Sequence, residues 1–191
     1  MPWPDDQRDQ TRQRILDSAA RLFALKGFDA VSLNDLMTDA GLTRGAFYHH
    51  FQTKTQVYSE SIAYAGKTGS AYLDTLGSER LSLLVDHYLS VGHRQGQELR
   101  CPLAFLATDV THRDHDVRSS YTGTFDRFVN RLQTDLPGAR VQSRQRALQL
   151  AATLIGGVAI ARALDNEALA DELLAACRAG GQALLGDTDQ E

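Results

Sequence analysis

An all-α fold is predicted by three observations. Apolar residues recur at intervals of three and four along almost the whole chain of 191 residues, no segment alternates with a period of two, and no repeat or low-complexity tract interrupts the pattern. The hydrophobic share of 42% and the evenly mixed charge exclude a disordered chain, so a packed core is expected. The expected architecture is an N-terminal three-helix head carrying a helix-turn-helix, residues 1–52, and a larger helical domain, residues 53–191, with about nine helices in all.

Each element has a local reason. Ile15, Leu16, Ala19, Leu22 and Phe23 form one stripe of a first helix, roughly residues 8 to 26. It stops at Gly27, a residue suited to the left-handed C-terminal position, with Lys26 favourable to the helix dipole. Ser32 and Asp35 make a capping box that opens a short second helix, broken at Gly41. Thr43 caps a third, Arg44 to His49, and Thr53 with Gln56 forms a second capping box before a fourth helix carrying Val57, Tyr58 and Ile62. Beyond Gly66, Leu81, Leu84, Val85, Tyr88 and Leu89 mark one amphipathic helix. Val117, Tyr121, Phe125, Phe128 and Leu132 mark another, which ends before Pro137-Gly138. Between them a short helix starts at Pro102, since proline suits a first helical turn, and runs through the apolar stretch from Leu103 to Val110. Residues 141–164 and 167–185, rich in Ala, Gly and Leu and joined by Asp165-Asn166, form an antiparallel helical hairpin.

Charge and cysteine content narrow the function classes. Lys and Arg number 20 against 24 Asp and Glu, a net charge of −4, which excludes a protein that coats nucleic acid or membranes by bulk charge. Any such contact has to be local. Two cysteines, Cys101 and Cys177, exclude a disulfide-rich secreted scaffold and a four-thiolate zinc site. The N-terminal MPWPDDQRDQ is polar and acidic where a signal peptide is basic and then apolar, and the longest near-apolar run, 151–161, falls short of a bilayer span. A soluble, cytoplasmic protein without membrane contact is therefore expected. The segment 112–116 has metal-capable groups, but it lies in a connection and His112 and His115 lack a clear third and fourth ligand, so a solvated loop is the expectation there. No Gly-rich phosphate loop or nucleophile elbow appears, so no metal, cofactor or catalytic set is expected.

Gly41, at the turn between two short helices, with Leu36, Leu42 and Phe47 spaced to pack inward, has the setting of a helix-turn-helix. No acid lies between Asp39 and Glu60, whereas Arg44, His49, His50 and Lys54 do, so this face carries +2 even with neutral histidines. A phosphate backbone is attracted to such a face. In a helix-turn-helix the second helix points its N-terminal residues at base edges. Arg44 is then the expected base reader, bidentate to guanine O6 and N7, Thr43 reaches a phosphate or a thymine methyl, and Gly45 permits close approach to the groove. Ser32 offers its hydroxyl and free backbone N–H groups to a phosphate, assisted by Asn34. For each residue alone, a cap or a solvated side chain is the competing reading.

The stretch KGFDAVSLNDLMTDAGLTRGAFYHHFQTKTQVY, and GAFYHHFQTK above all, resembles the DNA-binding segment of TetR-family transcriptional repressors. The resemblance covers residues 11 to 60; the remainder is similar only in its helix count and closing hairpin. Met37 stands where the family commonly has a small residue. The resemblance implies that Tyr48, His50 and Lys54 bind phosphates, that double-stranded operator DNA is the partner, and that a small ligand releases the protein by shifting the spacing of two heads.

One helix-turn-helix reads only a few base pairs, so a symmetric partner about one DNA turn, ~34 Å, away is expected. The closing hairpin is the expected homodimer interface: Gly156 and Gly157 permit close helix approach, and Leu154, Val158, Leu169 and Leu173 supply apolar area. A helix buried within one protomer is the alternative. Among the aromatics and histidines between head and hairpin, Tyr64, His87, Tyr88, Phe105, Tyr121 and Phe125 are core residues by default. The resemblance turns them into the expected lining of a cavity for an apolar or aromatic effector. Cys101, just before Pro102, sits at a helix N-terminus, where the dipole lowers a thiol pKa; a redox or electrophile sensor is thus an alternative signal, and a buried structural cysteine the plainer reading. The expected function is a ligand-responsive dimeric repressor, set against a thiol-sensing variant and a small helical enzyme or binding protein.

Overall fold

A computed structural model describes residues 5–97 and 100–186, and among them ten α-helices and no strand. They are α1 (Asp5–Lys26), α2 (Leu33–Asp39), α3 (Arg44–Phe47), α4 (Lys54–Asp74), α5 (Arg80–Tyr88), α6 (Val91–Arg94), α7 (Pro102–Phe105), α8 (His115–Asp135), α9 (Arg140–Ala163) and α10 (Glu167–Gly186). None of them is long and apolar enough to cross a membrane.

The local signals act as the sequence suggests at several ends. Gly27 closes α1 at φ 75° and Gly41 turns α2 into α3 at φ 64°, both in the left-handed region that favours glycine. At α2 the capping box is complete: Asp35 N–H donates to Ser32 Oγ at 3.1 Å and Ser32 N–H to Asp35 Oδ2 at 2.8 Å. At α4, Gln56 N–H donates to Thr53 Oγ1 at 3.0 Å, but the return bond to Gln56 Oε1 comes from Gln52 N–H, one residue earlier than a capping box places it. Thr43 occupies the N-cap position of α3 with extended backbone, yet its hydroxyl makes no capping bond, and α3 ends at Phe47 rather than His49. The helix from Pro102 ends at Phe105, and the rest of the apolar stretch becomes a turn and the 3-10 segment Asp109–His112.

Two features escape a periodicity reading. The four residues of α6 are too few to show a period; Ser90 Oγ opens them by accepting from His93 N–H at 3.0 Å. Inside α4, Gly66 does not end the helix. A Cβ there would meet Thr124 Cγ2 at 2.5 Å, so this glycine lets α4 and α8 cross closely.

The apolar core falls into two clusters. Ile15, Phe23, Leu36, Met37, Phe47, Phe51, Tyr58 and Ile62 form the first, joined by Leu106, Val110 and Val117 from beyond α4. Residues on both sides of position 52 thus share one core. Leu84, Val85, Leu89, Val129, Leu132, Leu150, Leu154, Val158 and Leu174 form the second, between α5, α8, α9 and α10. The long α4 packs on α1 with one part of its surface and on α8 with another, so it ties the head to the body.

Candidate nucleic-acid interface and cavity

The acid-free segment is held by α1. Asp39 and Glu60, the two carboxylates that border it, are paired with Arg21 and Arg12, so neither projects an uncompensated charge. Arg14 donates to the Ala40 carbonyl at 2.6 Å, satisfying the C-terminal end of α2. Phe47, fully buried, pins α3 against this frame.

What remains outward is the set read from the sequence. Ser32, Asn34, Thr43, Arg44, Gly45, Tyr48 and His49 are exposed, and His50 and Lys54 are half-buried. Arg44 makes no ion pair among the described residues, and Tyr48, 59% exposed, meets the edge of Phe47 with its ring. The Ser32 hydroxyl is engaged in the α2 cap, donating to Asp35 Oδ2 at 2.7 Å. Burial lowers the His50 pKa, with Arg8 nearby adding to the effect, so the neutral ring predominates at pH 7. Lys54 Nζ lies 4.1 Å from the centre of the Phe28 ring, and burial lowers its pKa while Asp29 opposes that shift.

Sequence reasoning missed the joint behind Lys54. Arg113 bonds Asp29 at 2.7 Å and Asp109 at 3.0 Å, and its guanidinium lies 4.5 Å from the centre of the same Phe28 ring. The buried Tyr58 hydroxyl donates to Asp109, which with burial raises the pKa of the phenol. The segment 112–116, expected as a solvated loop, therefore contributes a head-to-body tie at Arg113 and, at Asp114, the cap of α8, where Asp114 Oδ1 accepts from Val117 N–H at 3.1 Å. No short-range pattern announces a residue that pairs 84 positions away.

A cavity of about 320 Å³ lies between α4, α5, α7 and α8. Leu73, Leu84, Leu103 and Phe128 form its apolar walls, and Lys67, Arg100, Arg127 and Arg131 also line it. Of the six residues expected to line a cavity, Tyr88 does. Tyr64 lines a second, open groove of about 530 Å³ between α1, α2 and α4, with its hydroxyl donating to Asp17 Oδ1 at 2.5 Å. His87 is on the surface beside Tyr72, at 3.1 Å from its hydroxyl. Tyr121 donates to the Leu103 carbonyl at 2.6 Å, Phe105 stacks on Arg162, and Phe125 packs on the body core.

Cys101 stands at the N-cap of α7 with Pro102 at the first helical position, as expected, but its thiol is not a thiolate. Burial pushes its pKa up and outweighs the opposing contacts with Tyr88 and the N–H groups of Leu103 and Ala104. Cys177 is raised by burial as well.

The hairpin residues divide. Leu154 and Val158 are fully buried in the protomer, and a Cβ on Gly157 would meet Leu89 Cδ2 at 2.9 Å and Cys177 Sγ at 3.1 Å. These three face their own core and not a partner. Leu173 packs half-buried on the same core. Gly156 faces open space and Leu169 is 47% exposed, on an outer face that also carries Leu148 and Ile160.

Residues 15–60 match the family model described as bacterial regulatory proteins, tetR family. An uncharacterized helix-turn-helix-type transcriptional regulator of Mycobacterium tuberculosis is 29% identical over 171 residues, 79% of this chain and 84% of the relative. The transcriptional regulator AcrR of Shigella flexneri is 46% identical over 54 residues, 28% of this chain and 25% of that protein. The crystal structure of a TetR-family regulator from Cytophaga hutchinsonii superimposes with a TM-score of 0.74 over 100% of both chains at 20% identity, a likeness of fold. Residues 15–60 thus carry a domain of the tetR family of bacterial regulatory proteins, and the chain around it shares the fold of solved TetR-family regulators.

Proposed function

We propose that this protein is a ligand-responsive repressor that binds a palindromic operator as a homodimer and leaves it when a small effector with an apolar or aromatic body fills the cavity. The carrying observation is Arg44: exposed, unpaired among the described residues and first in α3, on a segment whose bordering acids are neutralised. Residues 1–52 supply the reading head and 53–191 the effector and dimer functions. Arg44 reads a guanine; Thr43, whose hydroxyl is free of capping duty, takes a phosphate or a thymine methyl; Gly45 lets α3 close on the groove. Ser32, Asn34, Tyr48, His49, His50 and Lys54 hold the phosphates on either side.

Dimerisation uses the outer face of α9 and α10. Leu148, Gly156, Ile160 and Leu169 are there, and neither Gly156 nor Gly180 has any neighbour within 4 Å of a built Cβ, which leaves the approach of a second chain as the use of these glycines. A small-molecule signal is favoured over a thiol signal because the cavity is formed, whereas burial holds Cys101 protonated.

Selection of DNA fragments by the purified protein tests the reading. A palindrome with half-site centres about 34 Å apart is expected, and its cognate promoter should be silenced in transcription by the protein. Recovery of no sequence, or of a single unrepeated site, would overturn it.

A further inference from the structure

The cavity is apolar in its walls and basic at its edge, in a chain of net charge −4. Lys67, Arg100, Arg127 and Arg131 line it against one acid, Asp74. Asp74 is already paired with Arg131, which also lies 3.3 Å from Asp135. Arg127 donates to Thr124 Oγ1 at 3.0 Å and meets no carboxylate among the described residues. Arg100 is half-buried, its Nε is shielded from solvent, and it has neither a hydrogen bond nor an ion pair among those residues. A guanidinium so placed has lost hydration without gaining an anion. A carboxylate or sulfonate in the cavity supplies one through charge-assisted, bidentate hydrogen bonds.

The buried end of the cavity carries a second unmet need. Tyr88 is 1% exposed, and its hydroxyl, beside the Cys101 thiol, has no hydrogen-bond partner of ordinary geometry. A neutral ligand can accept hydrogen bonds at both places but leaves the guanidinium charge uncompensated, and a cation is repelled at the edge.

We propose that the effector is an organic anion, with an apolar or aromatic body between Leu73, Leu84, Leu103 and Phe128, an acidic head on Arg100 and Arg127, and a polar atom near Tyr88. The proposal rests on the ligand-responsive reading above and names its chemical class. Arg100, with Ala65 and Gly69, lines both the cavity and the open groove that faces Arg14, Arg21 and Asp39 of the head. The acidic group is thus bound at the wall between body and head, where a change in the position of Arg100 is felt on both sides.

Two fluorescent probes separate the charge from the body: 8-anilinonaphthalene-1-sulfonate, and N-phenyl-1-naphthylamine, the same ring system without the sulfonate. Titrated into the full-length protein, the sulfonate is expected to bind once per protomer and about 10- to 100-fold more tightly than the amine, the range of a charge-assisted hydrogen bond. Arg100→Gln and Arg127→Gln should each bring the sulfonate towards the affinity of the amine and leave the amine unchanged, while Arg100→Lys keeps part of the preference. Arg127 is exposed, so Arg127→Gln carries the test even if Arg100→Gln fails to fold, with circular dichroism as the check. Equal binding of the two probes, or a sulfonate affinity indifferent to both substitutions, would overturn the anion class. Operator affinity measured with each probe present distinguishes the underlying reading. Arginine-dependent sulfonate binding that leaves operator affinity unchanged upholds the anion site and removes ligand release. Release by the amine and the sulfonate alike, without arginine dependence, upholds ligand release and removes the anion class.

Discussion

Arg44 and Lys54 share one face of the head in different settings, and the difference predicts different defects. Arg44 has no partner to lose, so Arg44→Ala is expected to cost about 1 to 3 kcal/mol of specific binding and to relax base preference at one position per half-site. Lys54 sits over Phe28 at the head-to-body joint, and Lys54→Ala should weaken all sequences alike and flatten the salt dependence. Binding titrations on operator and scrambled DNA at several salt concentrations check both. His93 makes a prediction about pH. Fully buried, it donates from Nδ1 to the Tyr88 carbonyl at 2.6 Å and accepts at Nε2 from Cys101 N–H at 3.3 Å, a pattern only the neutral ring satisfies. Burial is the main cause that lowers its pKa to about 4, against 6.5 for an ordinary histidine. Between those two values the unfolded chain binds a proton that the folded chain refuses, so stability is complete above pH 6.5 and falls as pH falls towards 4. The loss from this group is about 2 to 3 kcal/mol at pH 4.5. Urea denaturation at pH 7 and pH 4.5 should show a smaller difference in His93→Gln than in the wild type.

Secondary-structure elements were legible where their cause is local. Both bonds of the Ser32–Asp35 box are made, and Ser32→Ala is expected to cost about 1 kcal/mol of stability, read from the midpoint of thermal or urea unfolding. The left-handed glycines at 27 and 41, the proline that opens α7 and the α9–α10 hairpin follow from the same short-range rules. Cys101 shows where such rules stop. Its place at a helix N-terminus was readable, but the burial that decides its pKa depends on Tyr88 and α7 folding over it. In α9 the apolar run includes both faces of the helix, so periodicity did not tell Gly157, wedged against Leu89 and Cys177, from Gly156, which faces open space. Arg100 and Arg127 come from separate parts of the chain and meet only around the cavity, so no spacing marked them. Arg113 is hidden for the same reason: its ring and carboxylate partners come from the α1–α2 connection and the turn before α8.

At the scale of the whole molecule, the two glycines separate stability from assembly. Gly157→Leu overpacks the protomer core and should cost about 1 to 3 kcal/mol of stability, whereas Ile160→Glu combined with Leu169→Glu places charge on the outer face and should give folded monomers with weakened operator binding. Sedimentation and melting curves distinguish the two effects, and a double variant that remains dimeric would remove the α9–α10 face as the interface. Assembly then constrains how the cavity acts. In the proposed dimer, two heads on one palindrome fix the distance between protomers, so the proposed effector would release DNA only by binding more tightly to a body-and-head arrangement that misplaces α3. Besides α4 and the shared core, side chains join body to head at the wall around Arg100 and at the joint in which Arg113 and Lys54 share Phe28 while Tyr58 bonds Asp109. A coupling of about 1 to 3 kcal/mol through them weakens operator binding roughly 5- to 150-fold, and the operator must weaken effector binding by the same factor. The sulfonate probe titrated with and without saturating operator DNA measures that factor from the ligand side. Equality of the two factors is required if both sites bias one equilibrium; a probe that displaces DNA while its own affinity ignores the operator acts at the DNA face and not through the cavity.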